Sequence, residues 1–173
     1  PAYKLGRWDG CQSYFTVGGV TYTNLLDKVL PIIMEQGYQI DIDDLRSKYE
    51  FDFPTVDETT FQHKLWPEKH QMAGEPITLR DYQIEIVNKF LETPHCLQEI
   101  ATGAGKTLVT AALSERVEEY GRSIVIVPNK DLVRQTADDY ANLGLDVGVY
   151  FGDKKELGHT HTICTWQSLN SIR

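Results

Sequence analysis

The chain has 173 residues with 17 basic and 25 acidic side chains, giving a formal net charge of −8 at pH 7. Acids outnumber bases both in the first 76 residues and in the rest, which excludes a protein that holds nucleic acid through a broad basic surface. The length allows one good core with a small appendage, no apolar run is long enough to span a bilayer, and three scattered cysteines indicate a reducing compartment rather than a disulfide framework.

The first 76 residues predict a small α+β accessory domain. Short strands are expected over three stretches, Tyr3–Phe15, Val20–Tyr22 and Tyr38–Ile42. Apolar residues at helical spacing predict a helix from Leu25 to Gln36, which Gly37 ends and Pro31 kinks. A segment of this size buries little apolar surface by itself, so we expect it to pack on its neighbour.

A domain boundary is predicted near residues 71–76, where a glycine and a proline interrupt a polar stretch. This divides the chain into the accessory domain, residues 1–76, and a second domain, residues 77–173. The second domain begins with a predicted helix. Residues 78–81 resemble a capping box, apolar residues follow at helical spacing, and a Thr-Pro pair ends the helix.

Residues 100–107 read Ile-Ala-Thr-Gly-Ala-Gly-Lys-Thr, which predicts a phosphate-binding loop. Its two glycines lack a Cβ, so the backbone can bring its N–H groups close to an anion. Lys106 would lie on the β and γ phosphates of a nucleotide, and Thr107 would offer a hydroxyl to Mg²⁺. The full pattern has a further glycine where this chain has Ile100, so the match is partial.

The flanks of this loop favour the strand, loop and helix order that phosphate binding needs. A short strand is expected over Cys96–Ile100, and a helix is expected from the loop to Tyr120, with Gly121 as its stop. A phosphate loop alone does not distinguish kinases, transporters, GTPases and helicases, so the residues around it must decide.

Strands and helices alternate after the loop. The β-branched run Ser123–Val127 predicts a strand that is buried on both faces. Asn129 is expected to cap a helix that ends at Gly144. Further short strands are expected over Val147–Tyr150 and Thr162–Cys164. The alternation predicts an α/β fold with a doubly wound, mostly parallel sheet.

Four blocks in a fixed order carry a family resemblance. They are Leu79-Arg80-Asp81-Tyr82-Gln83, the loop at residues 100–107, the stretch Val127–Val133 that begins Val-Pro-Asn-Lys, and Thr165-Trp166-Gln167-Ser168-Leu169. The amide of Gln83 has a donor and an acceptor, which matches the edge of adenine. In this order the blocks resemble those of the superfamily-two helicases and translocases, in which the first loop glycine is commonly replaced. The resemblance implies a RecA-like motor domain, of which this chain holds a part.

The resemblance also implies roles for single residues at the nucleotide. The expected contacts to ATP are Arg80, Gln83, Thr102, Gly103, Ala104, Gly105, Lys106 and Thr107. Gln83 would read adenine and Lys106 would be the catalytic residue that neutralises charge during phosphoryl transfer. Thr107 would be the protein ligand of Mg²⁺.

A second set of residues is expected to contact DNA. They are Pro128, Asn129, Lys130, Gly152, Lys154, Thr165, Trp166 and Gln167. Structural alternatives stay open for some of them. Pro128 could only end a strand, Trp166 could pack in the core as readily as it could stack on bases, and residues 152–155 could form a solvated turn.

The front of the chain carries a second resemblance. Gly6-Arg7-Trp8-Asp9-Gly10, followed by the predicted helix that ends in Gly37-Tyr38, is similar to the small N-terminal domain of the phage UvsW helicases. That family processes branched DNA and RNA–DNA hybrids. The resemblance implies these nucleic acids and a second motor domain as partners, ATP and Mg²⁺ as cofactors, and the cytoplasm of an infected host, with no membrane. Trp8 would either pack in the small domain or contact DNA.

No Asp-Glu-x-His block follows the phosphate loop as far as Arg173. In the family that block completes the Mg²⁺ site and activates the attacking water. We therefore expect this chain alone to bind nucleotide weakly and not to hydrolyse it. Two other functions stay open, the duplex-DNA translocase motor of a restriction or remodelling complex and a DNA-binding module that has lost catalysis.

Overall fold

The computed structural model describes residues 9–46 and 51–172 of the chain. It divides the chain into two compact units, residues 1–49 and residues 50–173. Trp8 lies outside the described residues, so the choice between core packing and DNA contact for this side chain stays open.

The first unit contains one α-helix in its described residues. Helix α1 (Leu26–Glu35) follows a 3₁₀ turn and contains Pro31, and Gly37 follows the helix with a φ of 81°. The strands predicted here are wrong for the described residues, because Phe15 and Thr21 form only an isolated antiparallel bridge. No described residue of the unit is buried, and a two-stranded hairpin without a core is marginal in water.

The second unit contains a four-stranded sheet. Its strands are β1 (Ser123–Val127), β2 (Val147–Phe151), β3 (Lys154–Lys155) and β4 (His161–Thr165), in the order β1-β4-β2-β3. Strand β4 pairs in parallel with both β1 and β2, and β2 forms an antiparallel hairpin with β3. The mostly parallel sheet with its intervening helices confirms the predicted α/β fold class.

In the described residues, the second unit has the helices α2 (Asp81–Glu92), α3 (Lys106–Arg116), α4 (Lys130–Asn142) and α5 (Trp166–Asn170). Asn129 caps α4 as predicted, since its Oδ1 accepts a hydrogen bond from the backbone N of Leu132 at 2.9 Å. Helix α3 is shorter than predicted, and a separate 3₁₀ turn follows it before Gly121. No helix among the described residues is both long and apolar enough to cross a membrane.

The core joins the sheet to α2, α3 and α4. Its most deeply buried hydrophobic side chains are Phe61, Ile77, Leu79, Val87, Ala111, Ala112, Val133, Tyr140, Ile163 and Cys164. The Tyr140 hydroxyl lies 2.9 Å from Ser114 Oγ, which gives the one polar atom of this large ring a partner. Burial raises the pKa of Tyr140 to about 12.

Residues 51–63, which the sequence assigns to the accessory domain, are attached to the helices of the second unit. Asn88 on α2 makes two hydrogen bonds with the backbone of Val56. Its Oδ1 accepts from the Val56 N at 2.8 Å and its Nδ2 donates to the Val56 O at 2.9 Å. The Tyr120 hydroxyl donates to the Asp52 O at 2.8 Å. These contacts join residues far apart in the chain, which local composition does not reveal.

Strand β1 forms where predicted, but its predicted burial on both faces is wrong. Ile124 and Ile126 are 60% and 56% exposed, while the side chains between and beside them are half-buried. The strand lies at one edge of the sheet. Among the described residues, no element covers the face that carries these two isoleucines.

The strand predicted over Cys96–Ile100 does not form in the described residues. Leu97 is fully exposed, and Gln98 Nε2 donates to the backbone O of Ile86 at 3.1 Å. A strand needs a neighbour to complete its ladder. In the part of the chain that is described, a side-chain contact with α2 holds this segment instead.

Candidate functional site

The phosphate loop turns sharply into α3. Gly103 and Gly105 have φ values of 81° and 79°, which lie in the left-handed region that favours glycine. A Cβ on Gly105 would also lie 2.6 Å from Gln83 Nε2. Gly105 is the N-cap of α3, and the first N–H groups of a helix lack partners within it, so this end of α3 suits an anion.

Lys106 is folded back on its own loop. Its Nζ donates to the backbone O of Ile100 at 2.5 Å and to that of Ala101 at 2.8 Å. Ile100 stands where the full motif has a glycine, yet it contributes through a carbonyl that every residue type has. The replacement therefore leaves this contact of the lysine intact.

Gln83, at the start of α2, holds the loop from the side. The residue is 4% exposed. Its Oε1 accepts from the Arg80 N at 3.0 Å, and its Nε2 donates to the Ala104 O at 3.1 Å. The sequence predicts that Gln83 reads adenine, but both amide atoms already have protein partners, which leaves one N–H and one lone pair unused.

Tyr82 belongs to the first motif block without an assigned role, yet it contacts the same part of the loop. Its hydroxyl donates to the Ala104 O at 3.0 Å and accepts from Arg80 Nη1 at 3.1 Å. One carbonyl of the phosphate loop is thus fixed by two neighbouring side chains of α2.

A cavity of about 680 Å³ lies beside the loop. The expected ATP contacts that line it are Arg80, Gln83, Gly103, Ala104, Gly105 and Thr107. Thr102 and Lys106 are not among its lining residues. The volume falls in the range of small-molecule sites, about 300–1,000 Å³, so the structure brings most of the expected ATP contacts to one suitable space.

Another wall of the cavity comes from residues 64–77, here called the 64–77 loop, most of which the sequence assigns to the accessory domain. Its lining residues are Trp66, Pro67, His70, Met72 and Pro76. The loop is closed at its base by a bridge between Leu65 and Pro76. Sequence reasoning missed these residues. The only sequence signal is a Trp-Pro pair followed shortly by a histidine and a methionine, a combination too common to indicate a site.

Thr107 is the residue from which a Mg²⁺ ion could take a protein oxygen, since it follows Lys106 and lines the cavity. Across residues 9–46 and 51–172, no group of three or more His, Cys, Asp or Glu side chains is placed to hold a metal ion. Mg²⁺ commonly keeps several waters and is held by few protein ligands together with phosphate oxygens, so a hydroxyl such as that of Thr107 is a suitable donor to a nucleotide-bound ion.

The expected DNA contacts follow the carboxyl ends of three strands. Strands β1, β4 and β2 are parallel and adjacent, so the residues that follow them lie at one edge of the sheet. In open α/β sheets, ligands bind at this edge. A Cβ on Gly152 would lie 3.8 Å from Lys130 Nζ, which shows that the blocks after β1 and β2 are close together.

Two of these residues act as helix caps. Asn129 caps α4, and Thr165 caps α5, with its Oγ1 accepting from the Ser168 N at 3.4 Å. Trp166 is 57% exposed and lies outside the core, and Gln167 beside it is exposed. Pro128 directly follows the end of β1. The cap contacts fix the two helix N-termini at the carboxyl edge.

The β2–β3 hairpin adds basic side chains to the same edge. Gly152 has a φ of 52° in its turn, and Lys154 follows as an exposed residue. Arg134 on α4, which was not selected from the sequence, lies over the Phe151 ring with its guanidinium carbon 5.2 Å from the ring centroid. The positive charge that Lys154 and Arg134 add to this edge is therefore confined to the neighbourhood of the β2–β3 hairpin.

A phosphate loop at the start of α3, held by α2 beside a mostly parallel sheet, is the arrangement of a P-loop nucleotide-binding fold, and the family match identifies it as that of a superfamily-two helicase-type protein. Residues 76–173 match the family described as type III restriction enzyme, res subunit, and the chain belongs to this family. A comparison with curated proteins gives no match.

Two solved structures, both of the UvsW helicase from bacteriophage T4, have a similar fold. One has a TM-score of 0.68 and 22% sequence identity, over 98% of this chain and 62% of the solved chain. The other has a TM-score of 0.69 and 20% identity, over 100% of this chain and 36% of the solved chain. This chain therefore spans less than two thirds of either structure, and at these identities the likeness concerns the fold.

Proposed function

We propose that this chain is the front part of an ATP-dependent DNA helicase that acts on branched or forked DNA or on RNA–DNA hybrids, in recombination, repair or replication. The observation that carries the proposal is the cavity of about 680 Å³ beside Gly103–Thr107, where a phosphate loop and room for a nucleotide meet. The fold likeness to a phage helicase supports a helicase and, as the place of action, the cytoplasm of a phage-infected cell.

The loop residues would hold the triphosphate of ATP. The N–H groups at the start of α3 stabilise its negative charge. Lys106 exchanges its contacts with the carbonyls of Ile100 and Ala101 for oxygens of the β and γ phosphates. Thr107 supplies its hydroxyl to Mg²⁺. When bound, ATP would supply the phosphoanhydride bond whose hydrolysis drives movement, and Mg²⁺ would neutralise charge on its phosphates.

The nucleic-acid strand would cross the carboxyl edge of the sheet. The N–H groups at the start of α4, together with Lys130 and Lys154, contact phosphates, and the exposed Trp166 offers a face for base stacking. Since the chain has a net charge of −8, such contacts are few and local.

The first unit would help to select branched DNA. In residues 9–46 the basic side chains are Lys28 and Arg46, and Arg46 forms an ion pair with Asp44 at 2.7 Å. Little charge therefore remains there for phosphates. Exposed aromatic side chains such as Tyr22 and Tyr38, 63% and 69% exposed, would make the contact by stacking.

The test has two parts. The purified chain should bind MgATP weakly without measurable hydrolysis, and a protein that joins it to a second motor domain should separate the strands of forked DNA. Hydrolysis by the chain alone that Lys106→Ala abolishes would refute the first expectation. A joined protein that consumes ATP and leaves the fork intact would refute the helicase assignment.

A second candidate is a motor that translocates on duplex DNA without separating strands. The observation in its favour is the matched family, whose description names the res subunit of a type III restriction enzyme. Displacement of a third strand from a DNA triplex, with no unwinding of a fork by the same joined protein, would favour this candidate.

A further inference from the structure

The last turn of helix α4 forms part of the wall of the cavity beside the phosphate loop. Asp139, Asn142 and Leu143 line that cavity, and their spacing of three and four residues places them on one face of the helix. None of the three belongs to the residues expected to contact ATP or DNA. Asp139 is the one among them that carries a charge.

This end of α4 is fixed relative to the phosphate loop. The Tyr140 hydroxyl lies 2.9 Å from Ser114 Oγ on α3, the helix that follows directly from the loop. Lys64 Nζ donates to the Leu143 O at 2.7 Å, which satisfies one of the carbonyls that a helix leaves free at its C-terminus. The backbone of Asp139 is therefore ordered before any ligand arrives, which lowers the entropy cost of binding.

The carboxylate of Asp139 is half-buried and has no hydrogen-bond or ion-pair partner among the described residues. Burial, followed by the negative charge of Asp138, raises the pKa of Asp139. The residue also lies in the last turn of α4, where the helix dipole disfavours negative charge. Burial, a like charge and the dipole all oppose this carboxylate, and none of its described contacts offsets them. Such an uncompensated group at a cavity is typical of a ligand site.

The lining of the cavity contains groups of both charges. Arg80 and the N-terminus of α3 belong to the side of the phosphate loop, whereas the carboxylates of Glu58 and Asp139 come from other segments. N–H groups and cations hold a triphosphate, and carboxylates repel it. A carboxylate instead accepts hydrogen bonds from hydroxyls, as acidic side chains do from ribose in dinucleotide-binding folds.

We propose that Asp139 is a specificity-determining residue of the nucleotide site, and that its carboxylate accepts hydrogen bonds from the two ribose hydroxyls of a nucleotide whose phosphates lie on residues 103–107. The cavity of about 680 Å³ has room for both parts of this ligand. This role rests on the proposed function, and it adds a preference for ribonucleotides over nucleotides whose sugar lacks these hydroxyls.

The experiment is calorimetric titration of the chain, with Mg²⁺ present, using three nucleotides. They are ATP, dideoxy-ATP, which lacks both ribose hydroxyls, and ITP, which lacks the amino group of adenine. The parent chain should bind ATP roughly tenfold more tightly than dideoxy-ATP, about 1.4 kcal/mol, since hydrogen bonds to a charged group are stronger than neutral ones. ITP separates the sugar from the base, because it keeps both hydroxyls.

Two variants sharpen the comparison. Asp139→Ala removes the carboxylate, and Asp138→Ala removes the same charge from the neighbouring position. Asp138 is exposed and does not line the cavity, so it is the matched control. Asp139→Ala should have the Tm of the parent chain or a higher one, because it removes a half-buried carboxylate from the last turn of α4. Weaker binding of ATP by this variant is then not a loss of fold.

Asp139→Ala should bind ATP and dideoxy-ATP with equal affinity, while Asp138→Ala keeps the preference of the parent chain for ATP. A preference for ATP over dideoxy-ATP that survives in Asp139→Ala would overturn the proposal, and so would a parent chain that binds ATP and dideoxy-ATP equally. If Asp139→Ala changes only the preference for ATP over ITP, the carboxylate contacts the base and the sugar contact is refuted. If the parent chain binds none of the three nucleotides, the proposed function itself fails.

Discussion

Gly105 is constrained in two ways that substitution can separate. Its φ is 79°, and a Cβ there would lie 2.6 Å from Gln83 Nε2. Gly144 has a similar φ of 74°, but a Cβ there would have no neighbour within 4 Å. Both alanine variants should lose the ~1–2 kcal/mol that a left-handed residue costs. Gly105→Ala should lose more, because Gln83 must also leave the Ala104 carbonyl.

Urea unfolding measures the difference in free energy of unfolding between the two alanine variants. A MgATP titration measures the effect of each variant on nucleotide binding. We expect Gly144→Ala to bind nucleotide like the parent chain and Gly105→Ala to bind it more weakly. Equal free energies of unfolding for the two variants would show that contact with Gln83 does not constrain this position.

Among the elements, the stretch 51–63 is held against helix α2 by Asn88. Both amide atoms of Asn88 bond to the backbone of Val56. Asn88→Ala removes two hydrogen bonds of about 1 kcal/mol each and leaves two backbone groups to find water, so we expect a loss of roughly 2 kcal/mol in urea unfolding. Lys89→Ala, an exposed neighbour on α2, serves as the control. A loss in Asn88→Ala no larger than in this control would place the stretch outside the second unit.

The starts of β2 and β4 are joined by Asp146. Its carboxylate accepts hydrogen bonds from His159 and from the backbone and side chain of Thr160. These bonds, that of His159 first, lower the pKa of Asp146 to about 2. A carboxyl with a lowered pKa adds stability above its unfolded value, near 3.9, and loses it as pH falls toward its folded value.

Asp146→Asn should therefore have a lower Tm than the parent chain above about pH 4, and the difference should shrink as the pH falls toward 2. Asp153→Asn, in the exposed turn of the β2–β3 hairpin, is the control and should follow the parent throughout. A Tm difference that stays constant from pH 6 to pH 2 would contradict the assigned ionic contact.

For the whole molecule, the net charge of −8 limits how DNA can be bound. Each phosphate contact contributes about −0.7 to the slope of log K against log salt for a single strand. Lys130→Ala and Lys154→Ala should each reduce the magnitude of the slope by about this amount, measured by fluorescence anisotropy with a single-stranded oligonucleotide. Lys28→Ala, in the first unit, should leave it unchanged. If Lys130→Ala and Lys154→Ala both have the slope of the parent chain, the carboxyl edge of the sheet does not bind phosphates.

The sequence predicted the parts of the fold that depend on local patterns. The β-branched run at Ser123–Val127 and the cap at Asn129 belong to their own elements, and both formed as expected. The predicted burial of Ile124 is wrong, because the burial of a strand residue depends on which elements pack against that face of the strand. The roles of Lys106 and Thr107 follow from the motif, since phosphate chemistry requires those residue types, and they stay predictions. Trp66 escaped notice, because only the fold brings it from the preceding segment to the cavity.

We propose that residues 100–107 cradle the phosphates of ATP. Calorimetric titration of the chain with MgATP, compared with Lys106→Ala, tests it most directly, with Lys155→Ala as a control for loss of one positive charge elsewhere. We expect weak binding by the parent chain and by Lys155→Ala, and an affinity lowered at least roughly tenfold, about 1.4 kcal/mol, in Lys106→Ala. Equal binding by all three proteins would contradict it.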